Sequence, residues 1–337
     1  MEDLGKLTIV IFSRNRHEQL SRTLNYYKNL GIHSLVAHKT EIPLSIQEIP
    51  HSCTYLNIND SYSVRCGEIS RIPKAEYSIL SSDDERYLPS ALSEMMHQLR
   101  QQSNQGSVGG RNIAIGRYGR RITGTETFSN LNNYVNFETN FSSAVNLHFH
   151  PDVKGVRIGA LYRMYLSQNF NSLLRSLSFG GSASTPYIFE CIAEIASLAI
   201  GPIRYIENLY WLRNWSNDMI QSTDWDRNVT FNKWWDSPES LNAKVELLTH
   251  LESELSISVD LLENAFRKLL KNRISTESRS SKRNFRLKIN QDLKFMVKRL
   301  TKSKSLPTTL ANELQRTGSL GSLYSEDEVN SAVKSML

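Results

Sequence analysis

Over its first hundred residues the chain alternates between short apolar runs and segments whose apolar residues recur at helical spacing. The runs at 7–12, 34–38, 54–58 and 76–81 have the length and composition of strands, and the first is apolar enough to be buried on both faces. Strands that alternate with helices form sheets covered by helices on their faces. The pattern therefore predicts an α/β fold with a mostly parallel sheet flanked by helices.

The first helix is predicted directly after the first strand. Asn15 is placed to cap it, with Glu18 three residues on, and Gly31 ends it. The apolar stripe of this helix consists of Leu20, Leu24, Tyr27 and Leu30. A weaker helix is predicted at 62–72, and Pro89 opens another after the fourth strand.

The amino-acid composition changes after residue 106. Residues 107–150 are rich in Gly, Asn, Thr and Ser, which predicts hairpins and loops over one edge of the sheet. Helical spacing returns at 185–199, where Pro186 lies in the first turn and Gly201 stops the helix. The helix at 185–199 is thus predicted to lie beyond the sheet strands of the first half.

The last third of the chain is predicted to be mostly helical. Helical spacing continues at 240–255, 259–271 and 285–300. We therefore expect three regions: a sheet-containing domain at 1–216, a basic helical region at 217–317 and a flexible tail at 318–337.

The composition is that of an ordinary globular protein, with 39% hydrophobic and 22% charged residues among 337. No run approaches the ~20 apolar residues that cross a bilayer, and the first residues lack the pattern of a signal peptide. Cys53, Cys66 and Cys191 are widely spaced, which is typical of a reducing compartment. These features predict a cytoplasmic protein.

The net charge of +6 is concentrated between residues 271 and 304, where only Glu277 and Asp292 oppose twelve Lys and Arg. Such a segment is either a solvated helical face or a surface for anionic lipid head groups or a phosphorylated acceptor. It has few aromatic residues to stack on bases, so no nucleic-acid partner is expected. Peripheral contact with the inner face of an anionic membrane stays open.

Two predicted strand ends carry charged groups that could bind a ligand. In an α/β sheet, ligands bind at the carboxyl ends of the strands. The turn at 12–16 follows the first strand and offers amide groups and two arginines to an anion. The acidic turn at 82–85 follows the fourth strand, and its three consecutive carboxylates favour a divalent metal that holds a diphosphate. The alternative is an exposed acidic turn that caps the next helix.

The two segments resemble a known family. LTIVIFSRNRHEQLSRTLNYY resembles the opening of family-2-like glycosyltransferases of GT-A fold, and AEYSILSSDDERYLPSAL is similar to their aspartate-rich DxD segment. The resemblance covers residues 6–215. It implies a GT-A-like, Rossmann-related sheet and an enzyme that transfers a sugar from a nucleoside-diphosphate donor to a glycan or glycolipid hydroxyl, with inversion.

The resemblance also implies site residues. The nucleotide sugar would be bound by Phe12, Ser13, Arg14, Arg16, His38, Arg65 and Asp83. Mn²⁺ or Mg²⁺ would be held by Asp84 with Asp83 and Glu85. The register of the acidic motif is open: one alignment starts it at Ser82 and places Asp84 on the metal, and the other gives the metal to Glu85.

Two features of these positions bear on the donor. His38 stands where the family usually has an aspartate that contacts uracil, so the base of the donor is not fixed. Near the end of the predicted domain, Arg213 is a candidate for the diphosphate or the acceptor, and Trp211 or Trp215 for stacking on a sugar ring. For the tryptophans, packing in the core is the stronger alternative.

The catalytic base of the family lies near the start of a helix beyond the sheet, and Glu190 matches it. Helical geometry turns Glu190 away from the apolar face of its helix, towards the side of Glu194; the alternative is a solvated surface glutamate. His148 and His150 alternate as they would on a strand, where a surface pair is favoured over a metal site.

Two other classes of function are compatible with the sequence. The SDDE turn and the missing second-strand aspartate depart from the family, which would suit a non-catalytic module that binds a nucleotide or a glycan. The basic helical last third would suit an adaptor for a membrane or a partner protein. The sequence predicts no particular oligomeric state.

Overall fold

A computed structural model gives the structure of residues 3–101, 106–118, 121–126, 135–136, 138, 140–150, 159–179, 186–214, 231–271 and 325–336. The strands are β1 (Leu7–Arg14), β2 (His33–Lys39), β3 (Cys53–Asn57), β4 (Tyr77–Ser82), β5 (Glu85–Tyr87), β6 (Ser107–Tyr118), β7 (Arg121–Glu126), β8 (Val135–Asn136), β9 (Met164–Leu166) and β10 (Ile203–Asn214). The helices are α1 (His17–Asn29), α2 (Tyr62–Arg71), α3 (Pro89–Gln101), α4 (Phe141–His148), α5 (Ser167–Leu177), α6 (Pro186–Ile200), α7 (Phe231–Asp236), α8 (Leu241–Leu255), α9 (residues 259–271) and α10 (Glu326–Met336). Short 3-10 helices lie at Leu4–Lys6, Ala160–Tyr162 and Pro238–Ser240.

The strands form one sheet in the order β3-β2-β1-β4-β9-β6-β10-β5, with β7 paired to β6 and β8 to β10. The strands from β3 to β4 run parallel, β9 is antiparallel to β4 and β6, and β10 is parallel to β6. In β1, Leu7, Ile9, Val10 and Ile11 are fully buried, as expected for a strand covered on both faces. The predicted α/β architecture with flanking helices is confirmed.

The connection from β4 to β5 closes the sheet upon itself. Only Asp83 and Asp84 separate the two strands in sequence, yet β9, β6 and β10 lie between them in the sheet. The sheet is therefore curled, and its last strand returns to the end of β4. The acidic turn is the link across this curl.

The start of α1 differs from the sequence prediction. The helix is preceded by Arg16, which makes no side-chain capping bond, so the predicted capping box of Asn15 and Glu18 is wrong. Asn15 instead takes a left-handed conformation (φ 51°), and its amide donates to the carbonyl of Lys39. Asparagine tolerates this conformation better than most residues, and it turns the chain sharply from strand into helix.

The two histidines, expected as a surface pair, lie at the end of a helix, and His148 is buried. His148 is the last residue of α4, and the Asn140 side chain caps this helix by accepting from the amide of Ser143. His150 follows the helix, so the two imidazoles do not share a strand face. The local cap outweighs the alternation of the two residues.

The helical region behaves as predicted where it is described. Helices α8 and α9 match the predicted segments, and no described helix is long and apolar enough to cross a membrane. The expectation of a flexible tail is wrong for residues 326–336, which form α10. This helix packs on α1, β5 and β10 and buries Val329, Ala332, Val333 and Met336. Apolar spacing along α10 provides this face. The predicted helix at 285–300 and the basic segment after Lys271 lie outside the described residues.

Candidate active site

The two segments singled out in the sequence meet at one edge of the sheet. Strands β2, β1 and β4 are parallel neighbours, so their carboxyl ends lie side by side, with Ser13 beside His38 and Phe12 beside Ser82. The Ser13 hydroxyl donates to Asp83 Oδ2 at 2.6 Å. The turn after β1 and the acidic turn after β4 therefore contact each other, as the sequence predicts.

Arg16 joins the two aspartates of the acidic turn. Its Nη1 lies 2.7 Å from Asp83 Oδ1 and its Nη2 lies 3.0 Å from Asp84 Oδ2. Burial raises the pKa of Asp83 to about 6, although Arg16 acts in the opposite direction. Burial also opposes the charge of Arg16, but Asp83 and Asp84 outweigh it and raise the pKa of the guanidinium.

Glu85 is buried at the other end of the turn. Burial, with the nearby charge of Asp84, raises the pKa of Glu85 to about 7. Its Oε2 accepts from the Ser82 amide at 3.1 Å, and Arg213 Nε lies 3.7 Å from its Oε1. Arg213 stands directly opposite Glu85 in the β10–β5 pairing. The structure thus brings Arg213 to the acidic turn. The sequence indicates Arg213 only as a candidate for binding the diphosphate or the acceptor, without this pairing.

The three carboxylates differ in what they offer to a ligand. Asp83 and Glu85 have side chains 2% exposed and are held by protein donors, whereas the Asp84 side chain is 17% exposed. Asp84 accepts from the Ser82 hydroxyl at 2.6 Å and from Arg16, which leaves lone pairs on both oxygens. No group of three His, Cys, Asp or Glu in the described residues forms a metal site by itself. A cation at this turn would therefore need oxygen atoms from its ligand as well as Asp84.

A group of packed aromatic rings, which we call the aromatic slot, lies beside the ends of β1 and β2. The rings of Phe12 and Tyr62 lie 4.9 Å apart, and the guanidinium of Arg65 is 5.4 Å from the Phe12 ring. Arg65 Nη1 donates to the carbonyls of Ser13 at 3.1 Å and Ala37 at 3.3 Å. Arg65 is thus buried between the strand ends, where it fixes the backbone of the turn beside the slot.

His38 is buried near the end of β2. Its Nδ1 lies 2.7 Å from the Tyr55 hydroxyl, which itself accepts from the amide of Leu44. Burial, with the nearby His17 and Arg65, lowers the pKa of His38 to about 4, so the ring is neutral at pH 7. Its Nε2 is buried and has no hydrogen-bond partner within the described part of the chain.

Glu190 lies exposed on α6. The ring of the preceding Phe189 lies 5.0 Å from that of Tyr62, so α6 contacts the aromatic slot. Burial opposes the charge of Arg213, but Glu85, Tyr162, Asp84 and Glu190 raise its pKa. Glu190 and the acidic turn therefore act on the same guanidinium.

Helix α6 is fixed by a buried ionic network that the sequence did not indicate. Glu194 lies 3.1 Å from Arg163 Nη2 and 3.4 Å from His148 Nε2, and its Oε1 accepts from the Ala160 amide. Burial opposes the charge of Glu194, but Arg163, with His148, lowers its pKa to about 2. Glu194 is thus buried although Glu190, one turn earlier, is exposed. His148 belongs to this network.

Tyr162 is a residue of the site that sequence reasoning missed. Its ring stacks on that of Trp211 at 4.2 Å, and Glu85, Arg213 and Glu190 all affect its hydroxyl, whose pKa burial raises. Its segment has no apolar periodicity, so no pattern in the sequence indicated it. Trp211 is thus a packing residue against Tyr162, while Trp215 lies outside the described residues. Arg14 is at the end of β1, in register with Lys39.

No known protein-family profile matches the sequence, and no curated protein matches it. The structure is similar to that of S. aureus TarS residues 1–349 in complex with UDP-GlcNAc, with a TM-score of 0.50, 7% identity, and coverage of 80% of this chain and 72% of that one. A second structure of TarS residues 1–349 gives a TM-score of 0.44 at 9% identity, with coverage of 79% and 88%. At 7% identity the first match shows a shared fold and no more.

Proposed function

We propose that this protein is a glycosyltransferase that moves a sugar from a nucleoside-diphosphate donor to an acceptor hydroxyl. The observation that carries the proposal is the contact of Ser13 and Arg16 with Asp83 and Asp84, which brings the ends of β1 and β4 together where a metal-bound diphosphate could be held. TarS, which has the same fold, was crystallised with UDP-GlcNAc, a donor of this class. A glycan or glycolipid is the proposed acceptor.

The donor diphosphate is proposed to lie over Asp84 and Arg16. Asp84 is the carboxylate with exposed oxygens, and Mg²⁺ or Mn²⁺ is commonly held by one or two carboxylates together with phosphate oxygens. Such an ion would neutralise charge that grows on the leaving nucleoside diphosphate. Asp83 and Glu85, both buried, would hold the shape of the turn. Arg16 and Arg213 would contribute positive charge on either side of it.

The nucleoside is proposed to lie against the aromatic slot formed by Phe12 and Tyr62, whose rings contact each other. An aromatic slot accepts the flat face of a base, and the buried Nε2 of His38 is an unsatisfied polar atom on the side of β2. Arg65 supports the slot from behind through the carbonyls of Ser13 and Ala37. These contacts give a place for the base without selecting which base it is.

Glu190 is proposed as the general base. Its carboxylate would take the proton of the acceptor hydroxyl as that oxygen attacks the anomeric carbon, in a single displacement with inversion. Such proton transfer contributes roughly 10²–10⁴-fold to a rate. Arg213, whose charge is affected by Glu85 and by Glu190, links the base to the acidic turn.

The first test replaces Glu190 with Gln. Glu190→Gln should bind a nucleoside diphosphate with unchanged affinity and lose transfer by about 10²–10⁴-fold, because the amide cannot take a proton. Affinity is measured by calorimetry with UDP and Mn²⁺, and transfer by release of UDP from UDP-GlcNAc. The matched control is Glu207→Gln, which changes an exposed glutamate on β10 and should keep full activity. Near-normal turnover in Glu190→Gln would remove this residue from the mechanism.

A second candidate is a non-catalytic module that binds a nucleotide. It is favoured by the protein donors that hold all three carboxylates of the acidic turn, since these reduce the need for a metal. A screen of nucleoside diphosphates by thermal shift, followed by a hydrolysis assay on the sugar donor, separates the two functions. Binding without turnover in the unaltered protein would favour the module. The membrane or partner adaptor depends on the basic segment 271–304, of which only Lys271 is described, and stays a prediction.

A further inference from the structure

Helix α10 is connected to the acidic turn through one buried side chain, that of Arg86. This residue directly follows Glu85 and is 1% exposed. Its Nη1 donates to the Thr23 hydroxyl at 2.8 Å and to the Glu85 carbonyl at 2.7 Å. Its Nε and Nη2 donate to the hydroxyl and the carbonyl of Ser335, at 2.9 and 3.0 Å. One guanidinium thus joins α1, the acidic turn and α10.

The end of α10 suits a cation. Ser335 lies in the last turn of the helix, where carbonyl groups have no partner within the helix and the helix dipole is negative. Arg22 Nη1 also approaches the carbonyl of Met336, at 3.5 Å. If α10 left, Arg86 would lose two hydrogen bonds and the favourable field of the helix end at the same time.

The other end of α10 fixes the start of α3. The carboxylate of Glu328 accepts from the Ser90 amide at 3.1 Å and from the Ser90 hydroxyl at 2.6 Å. Ser90 lies in the first turn of α3, whose amides need acceptors from outside the helix. Contacts from α10 therefore lie at both ends of the segment 86–90, which directly follows the acidic turn.

We propose that α10 belongs to the donor site. Through Arg86, this helix positions the acidic turn so that Asp84 can hold the metal–diphosphate. Arg86 is then a positioning residue that contacts no substrate. The effect of α10 on donor binding rests on the function proposed above. The effect of α10 on the conformation of the acidic turn rests on the contacts of α10 alone. Thr23 completes the path, because its hydroxyl accepts from Arg86 and lies within hydrogen-bond distance of the Asp83 carbonyl.

The test detaches α10 in the full chain. Ala332→Asp places a charge in the buried face of α10, and its matched control, Ser331→Asp, places the same charge on the exposed face. Hydrogen exchange followed by mass spectrometry should show amides of 82–90 exchanging at least about tenfold faster in Ala332→Asp and unchanged in Ser331→Asp. Amides of β1 and β2 should keep their protection. Unchanged exchange at 82–90, with α10 itself exchanging fast, would overturn the inference.

A second measurement separates positioning from general destabilisation. UDP affinity is measured by calorimetry with and without Mn²⁺. In Ala332→Asp the gain in affinity from Mn²⁺ should fall by at least about tenfold, while metal-free UDP binding in the aromatic slot stays constant. Equal losses with and without Mn²⁺ would indicate a merely structural role and contradict the proposal.

Two further experiments keep the inference decidable. If Ala332→Asp does not fold, Val329→Ala, which removes two methyl groups from the same buried face, should show the same changes at smaller amplitude. A peptide of residues 325–337, added to the detached variant, should restore the protection of 82–90. No recovery at saturating peptide would count against α10 as the cause. If the unaltered protein binds no UDP, the proposed function fails and the exchange measurement alone decides this inference.

Discussion

At the scale of single residues, the site is organised by unequal burial of three neighbouring carboxylates. Asp83 and Glu85 are enclosed and their pKa values are raised, to about 6 and about 7, while Asp84 keeps exposed oxygens. The enclosed pair is held by protein donors, and Asp84 is the carboxylate that solvent reaches. This division of roles can be tested by isosteric amides at two of the three positions.

Glu85→Gln should change how stability depends on pH. Because the folded pKa of about 7 lies above the unfolded value near 4.5, folding retains a proton that the unfolded chain releases, so Glu85 lowers stability as pH rises from about 4.5 to 7. Above pH 7 the buried charge is fully present, and the amide should raise the free energy of unfolding by on the order of 3 kcal/mol. Urea denaturation with a chelator at pH 5 and pH 8 measures this. A variant less stable than the unaltered protein at pH 8 would contradict it.

Asp84→Asn should remove the effect of metal on nucleotide binding. An amide oxygen is a weaker ligand for Mg²⁺ or Mn²⁺ than a carboxylate, whereas the aromatic slot beside Phe12 is left intact. We expect UDP affinity without metal to be retained and its increase with Mn²⁺ to fall by roughly tenfold or more. Calorimetry measures both, with Asp236→Asn, an exposed aspartate at the end of α7, as the control. A full Mn²⁺ response in Asp84→Asn would assign the metal elsewhere.

At the scale of secondary-structure elements, α6 presents Glu190 because the next turn of the helix is anchored. Glu194 on α6 meets Arg163 beside β9 and His148 at the end of α4, so three elements share one buried network. The Gly109 backbone in β6 also lies close to this network. Arg163 donates to the Tyr205 hydroxyl, and a Cβ at position 109 would come within 2.6 Å of the Tyr205 ring. The catalytic candidate thus stands on a rigid support.

Glu194→Gln should destabilise the protein strongly. The amide leaves the buried Arg163 without its charge partner, and breaking a buried pair in this way typically lowers the free energy of unfolding by about 3–5 kcal/mol. The folded pKa of Glu194 is about 2, below its ordinary value, so this contribution is present above pH 4.5 and is lost as pH falls towards 2. Urea denaturation at pH 7 measures the loss.

Glu190→Gln is the control on the same helix, since an exposed substitution should change stability by only about 0.5 kcal/mol. Equal stability of the two variants would mean that the network does not hold α6.

The sequence predicted those elements whose pattern is local and periodic. Strands β1 to β4 and helices α8 and α9 follow from apolar spacing, and the two strand-end motifs follow from their place after buried strands. Asn15, His148 and α10 were mispredicted because their roles depend on partners distant in sequence or on a cap. The Arg86–Ser335 contact joins residues 249 positions apart, which no local pattern can reveal.

At the scale of the whole molecule, ligand binding and folding are linked. A nucleoside diphosphate that binds only the native state, at a hundredfold excess over its dissociation constant, should raise the free energy of unfolding by about 2.7 kcal/mol. Thermal unfolding with UDP and Mn²⁺ measures this shift. Glu190→Gln should show the same shift, because Glu190, as the proposed general base, would contact the acceptor rather than the nucleotide. Absence of any shift across a panel of nucleoside diphosphates would argue for the adaptor instead.

The two-residue link between β4 and β5 has a kinetic consequence. The link joins β4 to β5, although three other strands lie between them in the sheet. The curled sheet therefore cannot open between β4 and its β10–β5 edge without pulling Asp83 and Asp84 away from the turn after β1. A diphosphate bound across that junction, as proposed above, would resist the same displacement. Bound nucleotide should therefore slow the rate at which the protein unfolds, and the saturated protein should survive a protease challenge far longer than its equilibrium stability alone would suggest.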